Sequence, residues 1–354
     1  MRWSRWCPWA EPLALIEPHA SRAKTGRPPF DVEIMLRIHF LQQWFGLTDV
    51  AMEEALFDVP LYQQFAGLGR TSRIPDRVSI LRFGETFGFG ETFGFGETFG
   101  FRHLLERHDL SKQIFGAVSE LLAGRGLMLK EGTAVDATII AAPSSTKNKG
   151  GTRDPEMVSS ASAQLRTTKK GNQWHFGMTS RRRWTPAGRS RAAGCGHERS
   201  EAAQVAHIGV DADSGLVHTV TTTPANAHDL TEAHKLLHGG EADVFADSGY
   251  RGAHKRQQVK DRHPDVTWHV AKMPGKRRKL VKKGEADVLT DRLDRTKARI
   301  RSKVEHPFRV LKLQFGHVKI RYRGLAKNTA QLHTLFALAN LWMVRKRILQ
   351  AAAG

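Results

Sequence analysis

The chain has 354 residues, of which 40% are apolar, and 55 Lys and Arg against 35 Asp and Glu leave a net charge of +20. That length is enough for a buried core and for one large domain beside a smaller one, and the charge excess points to a polyanionic partner, DNA or RNA first. Cys7 and Cys195 have neither metal-site spacing nor the number for a disulfide framework, so a reducing, cytoplasmic setting is expected.

The first twenty residues carry Arg2, Arg5 and Glu11 and no continuous apolar stretch, so neither a secretory leader nor a membrane anchor is expected there. Asp31 is placed to cap a helix whose apolar positions Ile34, Met35, Ile38, Leu41 and Phe45 recur at helical spacing, and Thr48 or Asp49 to cap the next. Residues 31–125 thus predict a small all-helical unit, and 1–125 a helical N-terminal domain. Ser79 to Phe83 begins a further helix that Arg102 to Arg107 would continue without the stretch between them. That stretch, residues 84–101, is Gly-Glu-Thr-Phe-Gly-Phe written three times, with six of the eighteen phenylalanines. Two glycines in every six residues disfavour a helix, and the period is too short for a stacking repeat. It reads as a duplicated insert looping from a helical hairpin, with an aromatic platform for stacked bases as the other reading.

From residue 130 the pattern changes to short β-branched runs. Thr133–Ile140, Ala206–Val210 and Leu216–Thr223 predict strands, the last two joined by the turn Asp211-Ala-Asp-Ser-Gly215. Asp229–His238 predicts a helix, Ala242–Ala246 a buried strand, and Asp287–Phe315 a long helical region, an α/β pattern filling 126–354. Between about 179 and 205 lies a stretch with six arginines and no periodicity. Gln173–Met178 to its left and Ala206–Asp211 to its right look like two halves of one strand, split by a loop whose closure costs about 3 kcal/mol. The longest apolar run, Leu332–Val344, has thirteen residues where a bilayer needs about twenty, and Arg345, Lys346 and Arg347 follow it. It predicts a buried C-terminal helix and no membrane partner.

Three acids stand where acids are poorly favoured: Asp136 within the first strand, Asp247 at the end of Asp243-Val-Phe-Ala, and Glu305 in the helical region. Singly, each could be an ordinary turn, cap or solvated helix residue. A carboxylate in an apolar strand is costly to bury unless it is paired or binds a cation. Arg301, Glu305, Phe308 and Lys312 fall at i, i+4, i+7 and i+11 and share one helix face, a set suited to metal, phosphate and carboxylate together. Pro307 should kink that helix and set Lys312 out of line with Arg301. Other constellations fail on inspection. Asp211-Ala-Asp-Ser-Gly215 has Thr222 where a calcium loop needs an acid, His234 and His238 lack the glutamate of a zinc-protease helix, and the seventeen histidines are scattered.

On these residues the chain resembles bacterial insertion-sequence transposases of the DDE class, in the family typified by insertion sequence five. The matching segments are Gly26-Arg-Pro-Pro29, Val135-Asp-Ala-Thr138, Ala246-Asp-Ser-Gly-Tyr-Arg-Gly252 and Arg301-x3-Glu305-x6-Lys312. The resemblance implies a ribonuclease-H-like mixed sheet with flanking helices behind the helical domain. It implies Asp136, Asp247 and Glu305 as a catalytic triad binding Mg²⁺, with Mn²⁺ as substitute, and Arg301 and Lys312 as DNA contacts. It also makes the arginine-rich stretch an interruption of an inner strand, and Ala298 stands where related families carry a tyrosine. Arg251, the run Lys276, Arg277, Arg278, Lys279, and Arg321 and Arg323 supply further positive charge around the acidic motifs. The function expected is Mg²⁺-dependent strand cleavage at transposon ends and transfer into target DNA; the alternative is an inert DNA-binding remnant disrupted at 179–205. Terminal inverted repeats and target duplex are the expected partners, a homodimer the expected synaptic form, and the nucleoid the expected place.

Overall fold

The computed structural model describes residues 9–19, 28–69, 71–82, 109–129, 131–141, 167–170, 173–176, 204–224, 227–270, 285–322 and 325–351. The hexapeptide repeat, the arginine-rich stretch from 179 to 203, Lys276 to Lys279 and Arg323 lie outside these residues.

The N-terminal part is helical: α1 Ala10–Ile16, α2 Val32–Phe45, α3 Asp49–Asp58, α4 Pro60–Ala66, α5 Arg77–Arg82 and α6 Leu110–Gly124. Asp31 caps α2 as its position predicts, its Oδ1 accepting from Glu33 N at 2.8 Å. Of the two candidates for the next cap, Thr48 serves, accepting from Ala51 N at 3.2 Å. Asp49 is already helical and accepts from Gln42 Nε2 instead. Helix α5 starts at Arg77, earlier than expected, because Asp76 caps it through Ser79 N at 2.7 Å. Trp9, Trp44 and Phe65 meet edge-on inside the helices, with Trp44 and Phe65 centroids 5.4 Å apart.

Among the described residues seven strands follow: β1 Gly132–Ile140, β2 Thr167–Lys170, β3 Gln173–Phe176, β4 Gln204–Asp211, β5 Val217–Pro224, β6 Asp243–Ala246 and β7 Thr267–Val270. Five make one mixed sheet in the order β5-β4-β1-β6-β7, with β5, β4 and β1 antiparallel and β1, β6 and β7 parallel. Gln173–Phe176 is not the first half of an inner strand. It pairs with Thr167–Lys170 in a separate two-stranded sheet, while β4, starting at Gln204, pairs with β1 from Ile140 to Thr133. Pairing beside Asp136 is therefore uninterrupted.

Helix α7 (Gln257–Arg262) leads into β7. Residues 229–238 form two short 3₁₀ turns rather than the expected helix. His228 holds that start, its Nδ1 accepting from Leu230 N and its carbonyl from the Thr231 hydroxyl, local bonds that compete with an α-helical ladder. The expected helical region at 287–315 is α8 Glu285–Arg301, a 3₁₀ turn at 302–304, α9 Glu305–Arg309 and a π turn at 310–314. Last comes α10, Leu325–Ala351, in which Leu332, Leu335, Phe336, Leu338 and Leu341 are buried as the apolar run predicts.

Apolar side chains of α1, α2, α3, α4, α6 and α10 form one continuous cluster with Ala134, Ile208 and Val210 of the sheet. The opposite sheet face carries Val135 and Val244 beneath Leu236, Leu237, Tyr250 and Val259. No helix among the described residues is long and apolar enough to cross a membrane.

Candidate active site

Strand register brings the first two acids together. Val135 lies opposite Ala246 on the parallel neighbour β6, so Asp136 and Asp247, each one residue further, stand side by side where β6 ends. That position, outside the carboxyl ends of parallel strands, is where open α/β sheets place ligands. Asp247 leaves the strand and turns the chain, its Oδ1 accepting from Gly249 N at 2.8 Å.

The third acid arrives from the helical side. Arg301, the last residue of α8, donates from Nη2 to Asp136 Oδ2 at 2.6 Å, and the same nitrogen is 3.6 Å from Glu305 Oε1, one turn on. One guanidinium thus joins a strand acid to a helix acid 169 positions along the chain, and Asp247 lies close enough to act electrostatically on both Asp136 and Arg301. Asp136 and Arg301 are largely covered, with side chains 13% and 29% exposed, while Glu305 is 59% exposed and faces solvent.

Burial pushes the Asp136 carboxyl above the usual aspartate range, Asp247 adds to the rise, and Arg301 and the Ala137 N–H oppose it. For Arg301, burial pulls the guanidinium down, but the attraction of Asp136, Asp247 and Glu305 outweighs it and the net shift is upward. Arg301 Nε–H is buried and makes no hydrogen bond among the described residues.

Lys312 stays in line with Arg301 despite Pro307. Its Nζ donates to Thr138 Oγ1 at 2.6 Å and to Ile139 O at 3.3 Å, so the two cations contact residues two apart on one face of β1. The π turn over 310–314 carries an extra residue per turn just after the proline and re-aims that side chain.

Of the remaining basic candidates, Arg251 and Arg321 lie among the described residues. Arg251 is exposed at the end of the turn after Asp247. The Arg321 guanidinium lies against the C-terminal end of α2, where a Cβ on Gly46 would stand. Sequence reasoning did not single out Tyr250, which sits fully buried below the acids. Burial raises its phenol well above the ordinary value, with Asp229, Asp136 and Asp247 adding to the shift, and its hydroxyl has no partner among the described residues. Only its place inside the Asp247 motif could have drawn attention to it.

A family model described as a transposase DDE domain matches residues 128–341, and a second described as a transposase domain matches residues 2–86. Among solved structures, a pre-cleavage Mos1 transpososome is 9% identical over 93% of this chain and 82% of that chain, with a TM-score of 0.21. A Mos1 transposase paired-end complex with the left transposon end is 10% identical over 84% of this chain and 82% of that chain, at 0.19.

Proposed function

The chain belongs to the family of transposases with a DDE domain, and from that premise we propose that it cuts DNA at transposon ends and joins the freed strand to target DNA, with Asp136, Asp247 and Glu305 as the acidic triad. The observation that carries this reading is the single guanidinium of Arg301 held between Asp136 and Glu305 at the strand ends where Asp247 also lies. The strand order, three antiparallel strands followed by two parallel ones, supports a ribonuclease-H-like assignment. The spacing Arg301-x3-Glu305-x6-Lys312 supports placement in the family typified by insertion sequence five.

The donor set suits a hard dication: three carboxylates, one of them buried and pressed toward its neutral form, as expected of a site that gains from added positive charge. Asp136, Asp247 and Glu305 would hold Mg²⁺, or Mn²⁺ in its place, and the ion would supply positive charge to the attacking and leaving oxygens of an in-line displacement at phosphorus. Asp136 must be ionised to act as a ligand, and Arg301 favours that form. The exposed part of the Arg301 guanidinium would donate to a phosphate oxygen at the cut. Lys312 fixes the strand beside it. Water attacks the phosphorus first and breaks its bond to the 3′-oxygen, which leaves as a 3′-hydroxyl; that hydroxyl then attacks a phosphorus of the target strand and displaces the 3′-oxygen there. Residues 1–125 we assign to recognition of the terminal repeats and 126–354 to chemistry, with Arg251, Lys276 to Lys279, Arg321 and Arg323 supplying charge for phosphates and a homodimer holding two ends in the cytoplasm, on the nucleoid.

The test is cleavage of a duplex bearing the element's terminal inverted repeats. Nicking at the repeat boundary is expected with Mg²⁺ and none with EDTA. Asp136→Asn, Asp247→Asn and Glu305→Gln should each slow it by at least about 10²-fold while leaving DNA binding in place. Binding without nicking at any Mg²⁺ concentration overturns the proposal in favour of an inert remnant. Cutting without regard to end sequence, with no joining, replaces it with a general nuclease.

A further inference from the structure

The other end of the same strands carries a second cluster with a different chemistry. We propose that His218, His238 and Glu241 form a site for a zinc-type divalent ion, separate from the acids at Asp136. One ligand atom from each lies within 4.8 Å of the others. Glu241 precedes β6 whereas Asp247 follows it, so the two clusters sit at opposite ends of one strand.

Three local departures from regular structure build the cluster. The β4–β5 register passes from Gly209↔Thr219 to Val210↔Val217, leaving His218 as the extra residue of a β-bulge, a device that re-aims a side chain. The bulged imidazole crosses over Gly209: a Cβ there would come 2.8 Å from His218 Cε1 and 2.3 Å from Leu236 O, so only glycine leaves the path open. Glu241, fully covered, is clamped by the backbone N–H groups of His238 at 2.6 Å and Gly239 at 2.7 Å and by the Thr133 hydroxyl at 3.1 Å. A buried carboxylate is thereby fixed facing two imidazoles, whose ring centroids are 4.8 Å apart, nearly edge to face.

The donor set selects the ion. Two imidazoles and one carboxylate match zinc and its neighbours rather than Mg²⁺, which takes oxygen ligands. His238 Nε2 is already 3.5 Å from Glu241 Oε1, close to the ligand-to-ligand distance of about 3.4 Å around a tetrahedral zinc. The His238 side chain, 20% exposed, closes the remaining gap and gives the ion a way in from solvent.

The tautomers follow. His218 Nε2 lies 3.0 Å from Thr133 Oγ1 and its Nδ1 lies 2.9 Å from Thr219 Oγ1. With the ion on Nε2, the proton sits on Nδ1 and is donated to Thr219, whose hydroxyl rotates to accept it, the outer-shell bond that orients a ligating histidine. His238 gives up the bond from Gly240 N to its Nδ1 at 3.2 Å in exchange for coordination. Thr133 or a water completes the fourth position. Such an ion would tie the edge strand β5 and the 238–241 turn to the start of β1.

The test uses the full-length protein stripped with EDTA, dialysed and given Zn²⁺ alone. About one equivalent should be retained with both histidine variants, His218→Ala and His238→Ala, losing it, and Tm should rise by about 5 °C or more in the wild type only. Asp136→Asn and Asp247→Asn should keep the zinc, which separates this site from the acids and makes failure of either reading visible apart from the other. X-ray absorption on the wild type gives a readout independent of variant folding: two imidazole nitrogens at about 2.0–2.1 Å from the metal are expected. An oxygen-only shell, or equal zinc retention in wild type and both histidine variants, overturns the proposal and leaves a hydrogen-bonded cluster.

Discussion

Asp136 is held between two opposing influences: burial drives its carboxyl toward the neutral acid, and Arg301 at 2.6 Å draws it back to the anion. Because its pKa in the folded chain is raised, the native state binds this proton more tightly than the unfolded chain does. The associated stability is full below the ordinary aspartate value and is lost as pH rises through the raised one. Above that point the buried charge is a cost that Arg301 offsets. Arg301→Gln removes the offset, raises the carboxyl further and extends the loss to higher pH. Urea unfolding should show a deficit of about 2 kcal/mol near neutral pH that shrinks at roughly pH 4; an equal deficit at both would mean that Arg301 acts through packing alone. The acids were legible in the sequence because a carboxylate in an apolar strand conflicts with its surroundings. His218 and His238 were not, since their meeting depends on a bulge and a bare Gly209 that no periodicity encodes.

At the scale of elements, the sheet depends on how its edge is closed. Strand β5 is an outer strand, and an unpaired edge presents bare amides and carbonyls. Asn340 of α10 covers part of it, its side-chain oxygen accepting from Val217 N at 2.9 Å and its amide donating to Val217 O at 2.7 Å. Both contacts are fully buried, so Asn340→Leu strands a donor and an acceptor and should cost about 2–4 kcal/mol in urea unfolding. Thr334→Val removes only a bond to Ala330 O within the same helix and should cost no more than about 1 kcal/mol. If the two variants lost the same amount, the amide would not be closing the edge. The strands β1, β4 and β5 were readable from their β-branched runs, as was the buried face of α10. The split inner strand was not real: Gln173–Phe176 has an alternation any hairpin strand can show, and its true partner, Thr167–Lys170, is too polar to announce itself. The turns at 229–238 escaped for a related reason, since capping by His228 is a local hydrogen-bond choice that apolar spacing does not register.

For the molecule as a whole, the excess of +20 and the shared core have to be considered together. The N-terminal helices and the C-terminal helix bury their apolar faces in one cluster with the sheet that carries Asp136. On the functional reading proposed above, recognition and chemistry are therefore coupled through packed side chains rather than through a loose tether. Charge on such a body should act mainly on affinity. Each phosphate neutralised releases counterion and contributes about −0.9 to the slope of log K against log salt, so a footprint of about 6–10 phosphates predicts a fall of about 10³–10⁵ between 50 and 200 mM salt. Replacing Lys276, Arg277, Arg278 and Lys279 together with alanine should flatten that slope by about 4 if each meets a phosphate. The ratio of affinities for terminal-repeat and random duplex should change far less with salt, because base contacts carry the sequence information and phosphate contacts do not. Fluorescence anisotropy on both duplexes across a salt series measures the two quantities at once. A slope shallower than about −2 would place most of the positive charge away from the nucleic acid, and a slope unchanged by the fourfold replacement would take that basic run out of the interface.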